Sequence, residues 1–253
     1  MDQPSSSLKA SPLEIIGASM LNLIKSCAYI LRLKIPFDQF VSRMVFLGFE
    51  SIPMVLILTS LASMILTLNT SIELAGRGGR ELIGALIAIS DMRELVPIFI
   101  AFAIVSRNGT ALTAEIATMK VTEQVDVLRV LKIDPVYYLI APAILSIVIL
   151  APILLALASV TSIFAGMIVS KMTVGLEFTE FLDSAWNQMS LKDFFYPLIK
   201  TELFSLFALV TNLTMGLNCS GDAKEVGEVT TRATALVMVG IIIIDGIVTP
   251  LLY

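Results

Sequence analysis

The sequence predicts an all-α protein built from several membrane-spanning helices. Two ratios and one pattern lead there. Of its 253 residues, 57% are apolar and 15% are charged. A soluble domain carries about 45–50% apolar and about 25% charged residues. Mean hydropathy is +0.90. The apolar residues also gather into five stretches near the length of about 20 residues that a bilayer crossing requires. Such a surplus of apolar area needs lipid around it. It excludes a disordered chain and argues against an ordinary soluble enzyme.

Absences narrow the function classes. The chain has no histidine, which removes histidine triads, histidine proton relays and histidine-ligated metals. Its two cysteines, Cys27 and Cys219, are far apart and belong to no CxxC. Neither a disulfide framework nor a zinc site is expected. The formal charge of −4 offers no basis for nucleic-acid binding. No GxxxxGK[ST] loop occurs, so the chain is not expected to bind ATP itself.

The elements follow in chain order. The polar start MDQPSSSLKASP has neither the basic region nor the apolar core of a secretory signal. From Leu13 to Leu33, apolar residues recur at helical spacing, with Glu14, Asn22, Lys25 and Arg32 between them. This predicts an amphipathic helix lying at the membrane interface and ending near Pro36. Residues 1–43 are therefore read as a tail plus interfacial helix, and 44–253 as a five-helix transmembrane domain. The first span is predicted at Met44–Leu68, whose 25 residues rise about 37 Å as a helix. It holds Glu50 near its start. Gly76, Gly78 and Gly79 then break the chain into a turn.

The second span, Leu82–Val105, joins two apolar runs through SDMRE, which places Asp91, Arg93 and Glu94 near its middle. The third, Leu139–Val169, holds 31 residues without a charge. It is long enough to tilt, to kink at Pro142 or Pro152, or to project beyond the bilayer. The fourth runs from about Phe194 to Leu217, with Lys200 and Glu202 in its first turns, where lysine can snorkel to the interface. The fifth is Ala233–Leu252, with Asp245 inside it.

With an N-terminus on the cytoplasmic side, eleven basic residues fall inside and four outside, while Arg93 and Lys200 lie within spans. That asymmetry predicts the N-terminus in and the C-terminus out. The connection between the second and third spans then faces the cytoplasm. Residues 113–131 read as a single amphipathic helix, with Glu115, Lys120, Glu123, Gln124, Asp126 and Arg129 alternating with Ile116, Met119, Val125, Leu128 and Leu131. From spacing alone it is either a loop helix resting on its own protein or headgroups, or a docking element.

Several ordered pieces of this chain resemble the MlaE/YrbE-type permeases, the membrane subunits of ABC transporters that work with MCE proteins. They are Arg93-Glu94-Leu95-Val96-Pro97, Arg107-Asn108-Gly109-Thr110-Ala111, Ala114 through Asp126 (AEIATMKVTEQVD) and Asp134-Pro135. Gly227, Thr230-Thr231-Arg232-Ala233 and Asp245 match near the end. The resemblance extends from about residue 40 onward. Asn108, Thr113 and the glycine-rich loop at Gly76–Gly79 depart from the family pattern.

The resemblance implies an interfacial elbow helix, five transmembrane helices and a cytoplasmic coupling helix between the second and third. It also implies a second permease copy, as a homodimer or close heterodimer. Hydrolysis would occur in a separate cytoplasmic ABC ATPase, so the chain is not itself an enzyme. An MCE-domain lipid-binding protein would meet the outer side. The cargo would be phospholipid or a related lipid. The host membrane would be a bacterial inner membrane or a plastid inner envelope, with the N-terminus on the cytoplasmic or stromal side.

Site expectations follow. Glu115, Met119, Lys120, Glu123, Gln124 and Asp126 belong to the ATPase-coupling helix, with Ile116, Met119 and Val125 filling the groove's apolar floor. Charges at mid-bilayer are expensive, so Arg93 and Glu94 are read either as a structural ion pair or as a headgroup site in which Arg93 attracts phosphate. Pro97, one turn on, loosens that helix. Leu66, Leu68 and Leu74 are candidate lipid-binding wall residues of the same chamber. Glu50 and Asp245 are intramembrane polar residues that need partners, and for Glu50 the neighbouring elbow helix is one candidate. The competing reading is an ion- or proton-coupled secondary carrier that uses Arg93, Glu94 and Asp245.

Overall fold

A computed structural model describes residues 11–32, 35–219 and 222–253. The tail before Ser11, and Leu33 and Lys34 at the predicted end of the first helix, lie outside the described residues. Every element among the described residues is helical. They are α1 (Pro12–Leu31), α2 (Phe37–Met44), α3 (Ile52–Gly76), α4 (Ile83–Ser90), α5 (Val96–Ala103), α6 (Thr110–Val121), α7 (Gln124–Val130), α8 (Ala141–Val174), α9 (Phe178–Gln188), α10 (Lys192–Leu217) and α11 (Ala223–Leu252). Wider π-helical turns sit at Val45–Phe49, Asp91–Leu95, Ile104–Gly109 and Val136–Ile140.

Local chemistry explains the boundaries. Ser11 and Glu14 form a reciprocal capping box at the start of α1. Pro53 sits in the first turn of α3, where its missing N–H costs nothing. Gly78 and Gly175 take positive φ (76° and 65°) just after α3 and at the end of α8. The Asp222 side chain accepts from the Lys224 and Glu225 amides and starts α11 there. The fifth helix therefore begins ten residues before the expected Ala233.

Five helical stretches are long and apolar enough to cross a membrane: Pro12–Leu31, Phe37–Gly76, Val136–Val174, Lys192–Leu217 and Ala223–Leu252. The expected first span was Met44–Leu68. The helix instead restarts at Ile52 and carries on to Gly76, because NTSIELAG continues the helix that the glycines then stop. The expected second span, Leu82–Val105, is not among the five. Residues 83–121 form a continuous helical path, but π turns interrupt it at Asp91–Leu95 and at Ile104–Gly109. This path packs against α3, α8, α10 and α11. The missed element is α9. Its start has a readable signal, since Glu180 accepts from the Glu177 amide at 3.3 Å.

Small polar residues pack the spans. Val55, Thr59, Ser63, Thr67 and Ser71 form the buried stripe of α3, the face set against α8. Opposite them, Gly166 sits against Thr67 and Ser63, and Ser71 lies 3.3 Å from Ser170. Small residues allow close backbone approach where lipid offers no hydrophobic drive. Ser63 also donates to Asp91 at 2.5 Å, tying α3 to the second path.

The α4–α9 contact is closer still. The Ser184 hydroxyl accepts from the Ala85 amide at 3.1 Å. A Cβ on Gly84 would collide with the Phe181 carbonyl. Gly84→Ala is therefore expected to cost about 1–3 kcal/mol through overpacking, measured as a lower thermal midpoint in detergent.

Helix α1 meets one end of the bundle at both of its own ends. Ile15 joins Ala117, Met215, Cys219 and Val229 in a buried cluster. Tyr29 donates to Asp134 at 2.8 Å and packs edge-on to Tyr137 at 5.4 Å.

Candidate functional site

Two polar assemblies stand out. The first is the α6–α7 hairpin. The chain does not continue as one helix from 113 to 131, as the periodicity suggests. It turns at Thr122–Glu123, where Glu123 adopts a left-handed conformation (φ 61°). That turn resets the helical phase. Ile116 and Val125, expected on an outward apolar floor, are fully buried in the chain's own core. The outward apolar residues are instead Val127, Val130 and Leu131, the second of them 82% exposed. Glu123 and Gln124 are exposed beside them, and Met119 is half-buried. Spacing alone could not reveal Val127 and Val130, because a non-glycine left-handed residue carries no clear sequence signal.

The hairpin is rigidly held. Lys120 reaches across it to both Asp126 oxygens, at 2.9 and 2.8 Å. This hydrogen bond holds the Asp126 carboxyl below the usual carboxylate range. Arg129 adds a contact to Asp126 at 3.1 Å. Glu115 is engaged by Arg43 of α2 in a two-pronged pair at 2.7 and 2.8 Å, with Arg43 buried. Thr113 contacts Asn212, and Gly216 lets α10 close onto the Thr113 carbonyl. Glu115, Lys120 and Asp126 thus brace the hairpin, while Glu123 and Gln124 present its tip.

The second assembly joins the Asp91–Leu95 π turn to α10 and α11. Arg93 and Glu94 do not pair with each other. Arg93 donates to Asp193 at 2.5 Å, and its guanidinium lies 4.4 Å from the Tyr253 ring centre. Asp193 also accepts from the Ser190 amide and hydroxyl at 2.8 and 3.0 Å.

Glu94 pairs with Lys200 at 2.6 Å, and Lys200 pairs with Asp245 at 2.7 Å. Lys200 also donates to the Arg93 carbonyl and to Thr249, each at 2.8 Å. The expectation that Lys200 snorkels is overturned: its side chain is wholly buried. Two acidic partners hold it inside, since an unpaired buried ammonium would be far costlier. Asp245 is no lone acid, because Lys200 and Thr249 both reach it. Sequence reading did not join Lys200, Asp193 or Thr249 to this assembly.

The other candidates lie apart. Glu50 pairs with Arg107 at 2.8 Å rather than with α1. Leu74 packs beside the Ile83, Leu176 and Phe181 cluster. Leu68 is 43% exposed on the outer face of α3, and Leu66 is half-buried. Pro97 is buried in the first turn of α5.

A family model described as "Permease MlaE" matches residues 40–251. The chain belongs to the MlaE permease family and is an ABC-transporter permease by that membership. A probable ABC transporter permease protein of Synechocystis is 34% identical over 201 residues, 79% of this chain and 76% of the relative. The Porphyra purpurea chain of that description is 33% identical over 221 residues, covering 87% and 84%. The chloroplastic protein trigalactosyldiacylglycerol 1 of Arabidopsis thaliana is 31% identical over 202 residues, 80% of this chain and 58% of that protein.

Proposed function

We propose that this permease moves phospholipid or a related lipid between its membrane and an extracytoplasmic MCE-domain carrier. A separate ABC ATPase docks on the α6–α7 hairpin and supplies the energy. The observation that carries the reading is the hairpin. It is anchored by Arg43–Glu115 and Lys120–Asp126, yet presents Glu123, Gln124, Val127 and Val130 to the outside. A force-transmitting contact needs that combination of a stiff base and a free tip. The lipid word in the chloroplastic relative's name supports the cargo class.

The hairpin and the N-terminus face the cytoplasm or stroma, in keeping with the basic-residue bias. Helix α1 lies along that interface as an elbow, which fits its contacts with one end of the bundle. A second copy packs on α11, which exposes Ile242, Ile243, Ile247 and Leu251. The Arg93–Lys200 assembly sits where a headgroup would pass. Arg93 exchanges Asp193 for the lipid phosphate as the path opens.

The test is co-expression with the ATPase and the MCE protein, followed by co-purification and lipid transfer from proteoliposomes. ATP-dependent transfer of labelled phospholipid is the expected result. Transfer driven by an ion gradient without any ATPase would instead favour a secondary carrier working through Arg93, Glu94 and Asp245.

A further inference from the structure

Asp91 carries a carboxyl that the two polar assemblies leave unused. It opens the π turn between α4 and α5, which packs against both α3 and α8. The residue is wholly buried, as are Ser63 of α3 and Ser162 of α8. One carboxyl oxygen, Oδ2, lies 2.5 Å from the Ser63 hydroxyl. The other, Oδ1, is buried and has no hydrogen-bond partner.

The protons available decide the state of that carboxyl. The Ser63 oxygen also lies 2.8 Å from the Ser162 carbonyl oxygen. Both distances are those of hydrogen bonds between oxygens, and each needs a proton between its two atoms. A hydroxyl owns one proton. If Asp91 is a carboxylate, both neighbours of Ser63 are pure acceptors, and one of the two contacts has no proton. The Ser162 hydroxyl is engaged elsewhere, donating to the Ser159 carbonyl at 3.1 Å. Heavy-atom positions do not fix which oxygen of a pair is the donor. A protonated Asp91 supplies what is missing: Oδ2 donates to Ser63, and Ser63 donates to Ser162.

No counter-charge favours the ionised form. Among the described residues, no cation pairs with Asp91. Arg93 and Glu94 share its turn, but Arg93 is held by Asp193 and Glu94 by Lys200, both from α10. Helix α10 also carries Glu202 and Lys192, the latter exposed at its first position. Helices α4 and α5 have no charged residue. The only charges on α3 and α8 are Glu73 and Lys171, about 14–15 Å along their helices from Ser63 and Ser162. They pair with Arg77 and Glu177. An ionised Asp91 would be a lone buried charge with one unbonded oxygen, which is expensive.

We propose that Asp91 is a proton-binding site that fastens α3 to α8. With the proton in place, the relay Asp91–Ser63–Ser162 closes the seam. When the proton passes to water, the carboxylate accepts from Ser63 and the Ser162 carbonyl loses its donor, so α3 draws away from α8. The site shares a turn with the Arg93–Lys200 assembly but none of its bonds. It does not depend on ATPase docking or on the identity of the transported cargo.

The test uses the full chain in nanodiscs at about pH 5.5, above the usual aspartate range of about 4. Infrared spectra of the unaltered protein are compared with those of Asp91→Asn, whose amide can also donate to Ser63. The unaltered protein should show the carbonyl band of a protonated carboxyl, shifted by D2O and by carbon-13 aspartate. Asp91→Asn should lack it. The isotope shift reads the site even where Asp91→Asn folds poorly. A spectrum without this band would overturn the site, as would a band that carbon-13 aspartate leaves in place or that persists in Asp91→Asn.

The seam is read by spin labels at Ile72→Cys on α3 and Thr173→Cys on α8, both exposed positions. Cys27→Ser and Cys219→Ser remove the native thiols. Raising the pH from about 5.5 to about 8.5, across the range where a raised carboxyl ionises, should lengthen the distance between labels. The same change in pH should leave the distance unmoved in Asp91→Asn. An equal response in the two proteins would overturn the fastening.

Discussion

Lys200→Met is expected to destabilise the protein by about 3–5 kcal/mol, the cost of removing one partner from a buried ion pair. Among the described residues, the ammonium is the only cation paired with Glu94 and Asp245, at 2.6 and 2.7 Å. Without it, two carboxylates face each other with no counter-charge, and the Arg93 carbonyl and Thr249 lose a donor. For a protein of this size, the thermal midpoint in detergent should fall by about 10 °C.

The triple variant Lys200→Met/Glu94→Gln/Asp245→Asn removes the stranded charges and should recover most of the loss. That recovery separates electrostatic from packing effects. If Lys200→Met melts like the unaltered protein, the assembly does not hold α10, α11 and the Asp91–Leu95 turn together. Lipid transfer by the triple variant then reports whether these charges also serve the cargo: unchanged transfer would leave them purely architectural.

Glu123→Lys is expected to weaken ATPase binding by about 10–100-fold, the range of a charge reversal at an interface hot spot. Glu123 lies at the exposed corner and forms no ion pair among the described residues. The backbone and the side chain can be tested separately. A non-glycine residue in the left-handed region costs about 1–2 kcal/mol, so Glu123→Gly should leave the hairpin as stable or slightly more stable. It should also carry a smaller affinity loss than Glu123→Lys.

Glu115→Gln makes the contrast. Its partner Arg43 is buried, so it should lower stability before it lowers affinity for the ATPase. Titrating purified ATPase against each variant in nanodiscs, alongside its melting midpoint, reads both quantities. Unchanged affinity in Glu123→Lys would remove the hairpin tip from the docking surface.

Much of this architecture was legible in the residues. The helical class and the membrane setting follow from composition and run length, because apolar transfer energy adds up residue by residue along a segment. The glycine stop near residue 76 was readable too. So was the expense of charges at positions 93, 94 and 245.

The tertiary structure decided which groups these charges meet. Lys200 and Glu94 are 106 positions apart in the chain, and Arg93 and Asp193 are 100 apart. Such pairs depend on where separate helices cross, which no local pattern encodes. The structure also decided which face of 113–131 looks outward. A single left-handed residue at Glu123 restarts the helix in a new phase, burying Val125 and exposing Val127 and Val130. The sequence by itself determined that polar groups had to be accommodated within an apolar bundle. Helix packing determined their partners, because an ion pair forms only where two backbones bring its ends within reach.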